Sequence, residues 1–169
     1  MESAQNRTVT FPGVPWSSRI AFVIFLTVAI AAMVVTMRLD VPGAVWGLRI
    51  VITLGAAGFA IYLARRDLGG QATDLDRTAV DRWTIVHSSA GVVFGLFGIP
   101  FLLVALLTVA WEVFEILAPG FGETEVIQNR AMDVLVAWAG WLVVAGLIAL
   151  LTQTELPFLL PAADSLLRR

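Results

Sequence analysis

The chain has 169 residues, of which 59% are hydrophobic and 14% charged, and its mean hydropathy is +0.87. A soluble domain of this size cannot bury so much apolar surface within itself, so lipid must solvate a large part of the chain. The net charge of −2 offers no basic face for nucleic acid, and the absence of cysteine excludes disulfides, thiolate catalysis and thiolate metal sites. The composition predicts a small multi-pass membrane protein.

Five apolar segments predict membrane-spanning helices, because about 20 mostly apolar residues are needed to cross the hydrocarbon core. The first segment follows Ser17 and Ser18, which we interpret as its cap. Arg49 lies near the start of the second segment, where its side chain is expected to snorkel to the interface. All five segments belong to one predicted membrane domain, 1–169, and they cover residues 20–37, 45–64, 84–98, 100–118 and 132–151.

The third and fourth segments form one apolar run from Ile85 to Ala118. A single helix of that length would measure about 51 Å, which is too long for an ordinary bilayer. Gly98 and Pro100 lie near the middle of the run, and Pro100 lacks the amide that a continuous helix requires. We therefore predict a helical hairpin that turns at Gly98–Pro100, within an all-α bundle.

The distribution of arginine predicts the orientation in the inner (cell) membrane. An excess of positive charge favours the cytoplasmic side. With five spans, the predicted cytoplasmic side contains the N-terminus, and the C-terminal tail, 157–169, forms an interfacial segment on the other side. The cytoplasmic arginines are then Arg7, Arg19, Arg65, Arg66, Arg77, Arg82 and Arg130, against Arg38, Arg49, Arg168 and Arg169 on the opposite side.

Polar residues in or beside the predicted spans are the candidates for function, because a bilayer excludes charged groups that have no role. His87 and Glu112 lie about equally far from the predicted turn, so the hairpin should bring them to the same depth. Glu115 lies one turn further along the face of Glu112. Asp133 opens the next predicted helix at that end of the bundle, and Arg130 precedes it.

These residues permit several kinds of chemistry. The histidine and the carboxylates could hold a divalent metal ion, or share a proton. They could also pair with a cationic or polar head group while Arg130 receives a phosphate. A purely structural interpretation stays open as well, because Gly91 and Gly95 follow His87 at the spacing that lets membrane helices pack closely.

The same residues carry a resemblance to a known family. They comprise Asp81, His87-Ser-Ser-Ala-Gly91, Trp111-Glu112-Val-Phe-Glu115, Gly120-Phe-Gly-Glu-Thr-Glu125 and Asp133-Val-Leu-Val-Ala137-Trp-Ala-Gly140. This pattern is similar to that of the VanZ-like inner-membrane proteins, especially their relatives of the YjdF type, over about residues 81 to 145. The resemblance implies a role in the cell envelope, with recognition of a lipid or lipid-linked precursor at the polar end of the helices.

The leading hypothesis is that the protein binds a lipid-like amphiphile through His87, Glu112, Glu115, Asp133 and Arg130. One alternative is a metal-dependent intramembrane hydrolase that uses the same residues, and another is an accessory subunit that packs against other membrane subunits. A further alternative is a pigment or haem protein, with His87 as axial ligand and Gly91 and Gly95 leaving room for the ring.

Overall fold

The computed structural model describes residues 15–39, 41–66, 79–119 and 126–157. They form five α-helices and no strand among them. The helices are α1 (Trp16–Thr36), α2 (Gly43–Arg66), α3 (Arg82–Phe97), α4 (Phe101–Leu117) and α5 (Ile127–Thr152). The all-α fold with five helices is confirmed, and each observed helix overlaps the segment predicted for it.

Three of the five helices, α1, α2 and α5, are long and apolar enough to cross a membrane. They contain 21, 24 and 26 residues, so this is a membrane protein by length and composition. The helices of the hairpin are shorter, with 16 residues in α3 and 17 in α4. At 1.5 Å per residue these two are about 24–26 Å long, which is less than the usual hydrocarbon thickness.

The hairpin turns where the sequence predicts it. Gly98 ends α3 in the left-handed conformation, with φ of 67°, which glycine adopts without a steric penalty. Pro100 then precedes α4 as its N-cap. The buried Trp141 of α5 donates its indole N–H to the carbonyl of Ile99 at 2.8 Å. This hydrogen bond fixes the turn against α5.

The closest packing in the bundle joins α3 to α5. A Cβ added to Gly91 would overlap the backbone carbonyl of Ala137. A Cβ on Gly140 would lie 2.6 Å from the carbonyl oxygen of Ser88, and one on Gly95 would lie 2.9 Å from that of Trp141. Small residues therefore allow the two backbones to touch, as the spacing of Gly91 and Gly95 predicts.

The structure corrects two local predictions. Ser17 and Ser18 lie inside α1, which begins at Trp16 after Pro15, so they do not cap it. Arg49 does not snorkel, because it is buried and its Nε and Nη1 donate to the carbonyls of Leu96 and Arg38 at 2.8 and 2.7 Å. The last carbonyls of a helix have no hydrogen-bond donor within that helix. Packing places Arg49 where it donates to one of these carbonyls, that of Leu96 in α3.

Helix α1 contacts α4 through aromatic side chains. The rings of Phe22 and Phe25 lie 5.9 and 5.5 Å from the indole of Trp111, and Phe25 also stacks on Phe114. Most of the remaining α1 surface is exposed in the monomer, as expected for a helix solvated by lipid. The predicted interfacial tail lies outside the described residues after Pro157.

Candidate functional site

Five ionisable side chains meet at one end of the hairpin, and we call this group the polar centre: His87, Glu112, Glu115, Arg130 and Asp133. Because α3 and α4 run in opposite directions from the turn at Gly98, the first part of α3 and the last part of α4 lie at the same end. Helix α5 begins at that end and contributes Arg130 and Asp133.

His87 of α3 faces Asp133 of α5. The imidazole Nε2 lies 3.5 Å from the Asp133 carboxylate Oδ2. The Asp133 side chain is 1% exposed, whereas that of His87 is 16% exposed and forms an edge of the centre. This pair depends on the close packing of α3 on α5, since Gly91 and Ala137 each follow one turn after a member of the pair.

Arg130 connects α5 to two acids of α4. Its Nη1 lies 3.6 Å from a carboxylate oxygen of Glu112 and 3.6 Å from one of Glu115. The same nitrogen donates a hydrogen bond to the backbone carbonyl of Glu112 at 3.4 Å. The three-residue spacing of the two acids places both on the face of α4 that Arg130 can reach. Arg130 is therefore held by carboxylates from two successive turns.

Potential ligand atoms of His87, Glu112 and Asp133 all lie within 4.8 Å of one another. One comes from each of the three helices, so the group exists only when the hairpin is packed on α5. An imidazole nitrogen with carboxylate oxygens is a donor set suited to a divalent ion such as Zn²⁺ or Mn²⁺. The centre also carries both signs of charge, which suits a zwitterionic head group.

All five residues selected from the sequence meet in the polar centre. The ligand atoms of His87 and Glu112 lie within 4.8 Å of each other, so the turn brings these two residues together. Asp133 does not open its helix as predicted, because α5 begins at Ile127 and places Asp133 in the second turn. Its position therefore owes less to the helix dipole, which acts mainly on the first turn.

Asp81, part of the family resemblance, has a local structural role. Its carboxylate accepts a hydrogen bond from the Thr84 N–H at 2.9 Å, and its own N–H donates to the Thr84 hydroxyl at 3.1 Å. This capping box fixes the start of α3 and hence the position of His87 one turn later. The acidic loop of the resemblance, at Glu123 and Glu125, lies outside the described residues.

Sequence analysis missed Asn129, which is completely buried one turn before Asp133. Neither its amide nitrogen nor its amide oxygen has a hydrogen-bond partner within the described part of the chain. The apolar pattern predicts the fifth helix only from residue 132, because the polar run before Met132 hides the first turn of α5. The buried positions at 129, 133, 137 and 141 recur every four residues, which is the signal that could have revealed it.

The glycines that would have made room for a pigment ring serve helix packing instead. The space beside Gly91 and Gly95 is filled by the backbone of α5. The observation behind the pigment hypothesis is thus explained by the contact between α3 and α5.

The comparisons with known proteins add no further information about the site. Neither a protein-family model, nor a curated protein, nor a solved structure matches this chain. The geometry of the polar centre is therefore the basis for inferring function.

Proposed function

We propose that this protein is a multi-pass inner-membrane protein that binds the polar head group of a lipid or lipid-linked amphiphile at the polar centre. The observation that carries this proposal is the burial of an arginine, three carboxylates and a histidine between three helices of a membrane protein. Arg130 lies 3.6 Å from both Glu112 and Glu115, and His87 lies 3.5 Å from Asp133. Ionisable groups at membrane depth are expensive, and they mark binding or transport sites more often than they stabilise a fold.

The two signs of charge indicate which head groups fit. A cationic amine matches the carboxylates of Glu112 and Asp133, and a phosphate matches the planar guanidinium of Arg130. His87 and Glu115, whose side chains are 16% and 12% exposed, form the accessible edge of the centre. A zwitterionic phosphate ester of an amino alcohol therefore fits better than an uncharged or purely anionic head group.

Membership of the VanZ-like family, with a role in the cell envelope, is part of this proposal. It is supported by the residues of the polar centre, since the family pattern includes His87, Glu112, Glu115 and Asp133.

The proposed topology has five spans, with the N-terminus and the polar centre toward the cytoplasm. Val80 would then lie on the cytoplasmic side and Glu155 on the other, and both are exposed. The chain has no cysteine, so Val80→Cys and Glu155→Cys each introduce a single thiol for labelling in intact cells by an impermeant reagent. Labelling at 155 alone is expected. Labelling at 80 alone would show that the orientation is the reverse of the proposed one. Equal labelling at both positions would contradict a topology of five spans.

The test of head-group binding uses the full chain, purified in detergent and depleted of lipid. We expect short-chain phosphatidylethanolamine to raise the melting temperature at lower concentration than phosphatidylglycerol or diacylglycerol does. Glu112→Gln and Arg130→Gln should weaken the effect by about tenfold, because each removes one charge that matches the head group. Glu155→Gln, an exposed substitution at the opposite end of α5, is the matched control. Equal responses to all three lipids would contradict the proposal.

A role as accessory subunit is the second candidate, favoured by the exposure of α2. Only 6% of its apolar window is buried within the monomer. Another membrane subunit that packs on this surface would bury it. Retention of stoichiometric partners after purification in mild detergent would support this role, whereas a monomer that still responds to phosphatidylethanolamine would favour the head-group site.

A further inference from the structure

The donor atoms of the polar centre also match a metal ion. The imidazole of His87 and the carboxylates of Glu112 and Asp133 offer ligand atoms within 4.8 Å of one another. A point between three atoms with that spacing lies at most about 2.8 Å from each of them. The bonds from Zn²⁺ to nitrogen or oxygen are shorter, about 2.0–2.2 Å. Side-chain movements of under about 1 Å would therefore bring all three onto one ion.

The charges of the polar centre have the sign that a divalent cation requires. The centre contains three carboxylates, from Glu112, Glu115 and Asp133, and one guanidinium, from Arg130. With neutral His87, the formal sum of these groups is 3 negative minus 1 positive, or two negative charges. Buried carboxylates are stabilised by a bound ion, and one divalent cation would compensate this sum.

Asn129 is an independent indication of a polar ligand at this end of the bundle. It is completely buried on the face of α5 that carries Asp133, and both polar atoms of its amide lack a partner within the described ranges. Buried amides are nearly always hydrogen-bonded. A metal ion at the centre would bring water, which can donate to the amide oxygen or accept from the amide nitrogen.

We propose that the polar centre holds one divalent transition-metal ion, such as Zn²⁺ or Mn²⁺, through His87, Glu112 and Asp133, with Asn129 hydrogen-bonded to water on that ion. The nitrogen ligand favours these ions over Mg²⁺ and Ca²⁺, which take oxygen ligands. The ion site goes beyond head-group binding and does not require it; because both would use Glu112 and Asp133, the ion and a cationic amine are alternative occupants of the centre. A bound ion would supply the polarised water that a membrane hydrolase needs.

The experiment uses the untagged full chain in detergent, stripped with a chelator and dialysed against Zn²⁺, Mn²⁺ or Mg²⁺ alone. One Zn²⁺ or Mn²⁺ per chain is expected, with much weaker uptake of Mg²⁺. His87→Gln and Asp133→Asn should weaken binding by more than tenfold. Asn129→Ala should weaken it by about tenfold, which is typical when a hydrogen bond to a bound ligand is lost. Glu155→Gln should bind like the unmodified chain.

A second measurement covers the case in which Asp133→Asn fails to fold. His87 is the only histidine, so a nitrogen ligand seen by Co²⁺ absorption or Mn²⁺ electron paramagnetic resonance is assigned to it without ambiguity. We expect this signature in the unmodified chain and in Asn129→Ala, and its loss in His87→Gln. Absence of a stoichiometric ion, or binding that is equal in His87→Gln, would overturn the ion site. The lipid response is measured in chelator, so either proposal can fail alone.

Discussion

Charged side chains are buried beside both ends of α3, but their partners differ. At the C-terminal end, Arg49 donates to the carbonyls of Leu96 and Arg38, and its guanidinium lies 4.8 Å from the ring of Trp46. At the N-terminal end, His87 lies beside acids of two other helices, and one of these acids, Glu112, also lies beside Arg130. One end thus pairs a charge with the backbone, and the other collects ionisable side chains from three helices.

This difference separates a charge that packing explains from the charges that we propose bind a ligand. Arg49 lies at the negative end of the α3 dipole and donates to the carbonyl of Leu96, which α3 cannot pair itself, so packing alone explains it. Glu112 lies inside α4 and Asp133 lies in the second turn of α5, so neither residue occupies a helix end. Their burial is a cost to the fold that binding a ligand would offset.

The largest effect on stability is expected from Gly91→Ala, which disrupts the packing of α3 on α5. The added Cβ would overlap the carbonyl of Ala137, so α3 must move away from α5. We expect the free energy of unfolding to fall by about 3 kcal/mol, even though alanine is the better helix former by about 1 kcal/mol. Unfolding in mixed detergent micelles measures the change.

Gly58→Ala is the matched control for that substitution. Gly58 lies in α2 with no atom within 4 Å of a built Cβ. The same chemical change should there leave stability unchanged or raise it by up to about 1 kcal/mol. Equal destabilisation by the two substitutions would show that α3 and α5 are not in backbone contact.

An intermediate loss of stability is expected from Arg49→Met, which removes the contacts at the C-terminal end of α3 and leaves the polar centre unchanged. The change leaves the carbonyls of Leu96 and Arg38 without their donor and removes the contacts with the rings of Trp46 and Phe97. We expect a loss of about 2 kcal/mol, since a stranded buried acceptor costs about 1–3 kcal/mol.

Ligand affinity, measured in the same variant, tests whether the two ends of α3 act independently. Metal and lipid affinity of the folded fraction of Arg49→Met should match those of the unmodified chain, because Arg49 lies at the far end of α3. Arg49→Lys should recover only part of the stability, since an ammonium cannot reproduce the planar fork of the guanidinium. A large loss of ligand affinity in Arg49→Met would contradict the division between the two ends.

The smallest effect is expected at the polar centre, as the coupling energy between His87 and Glu112. It is measured in a double-mutant cycle of His87→Leu and Glu112→Leu. Each change alone breaks the polar centre, so their effects on the free energy of unfolding should not add. We expect a coupling energy of about 1 kcal/mol, which is typical of polar contacts between membrane helices. The pair Glu112→Leu and Tyr62→Leu should add, because Tyr62 is exposed on α2. Strict additivity of the first pair would mean that His87 and Glu112 do not interact.

The sequence by itself determined the membrane class, the five helices and the hairpin. These features depend on local signals: long apolar runs, the missing amide of Pro100 and the left-handed conformation that Gly98 adopts. The distances of His87 and Glu112 from the turn then sufficed to place them at one depth. The polar centre could be predicted as a group for this reason.

Tertiary structure alone decided which groups pair and what Arg49 does. The start of α5 is hidden by the polar run at residues 128–130, so the burial of Asn129 becomes visible only when α5 is packed against its neighbours. Likewise, nothing near Arg49 in the sequence shows that the last carbonyls of α3 lie within its reach. Hydrophobicity and turn residues act over a few positions, whereas the partner of a buried charge depends on which helix faces it across the bundle.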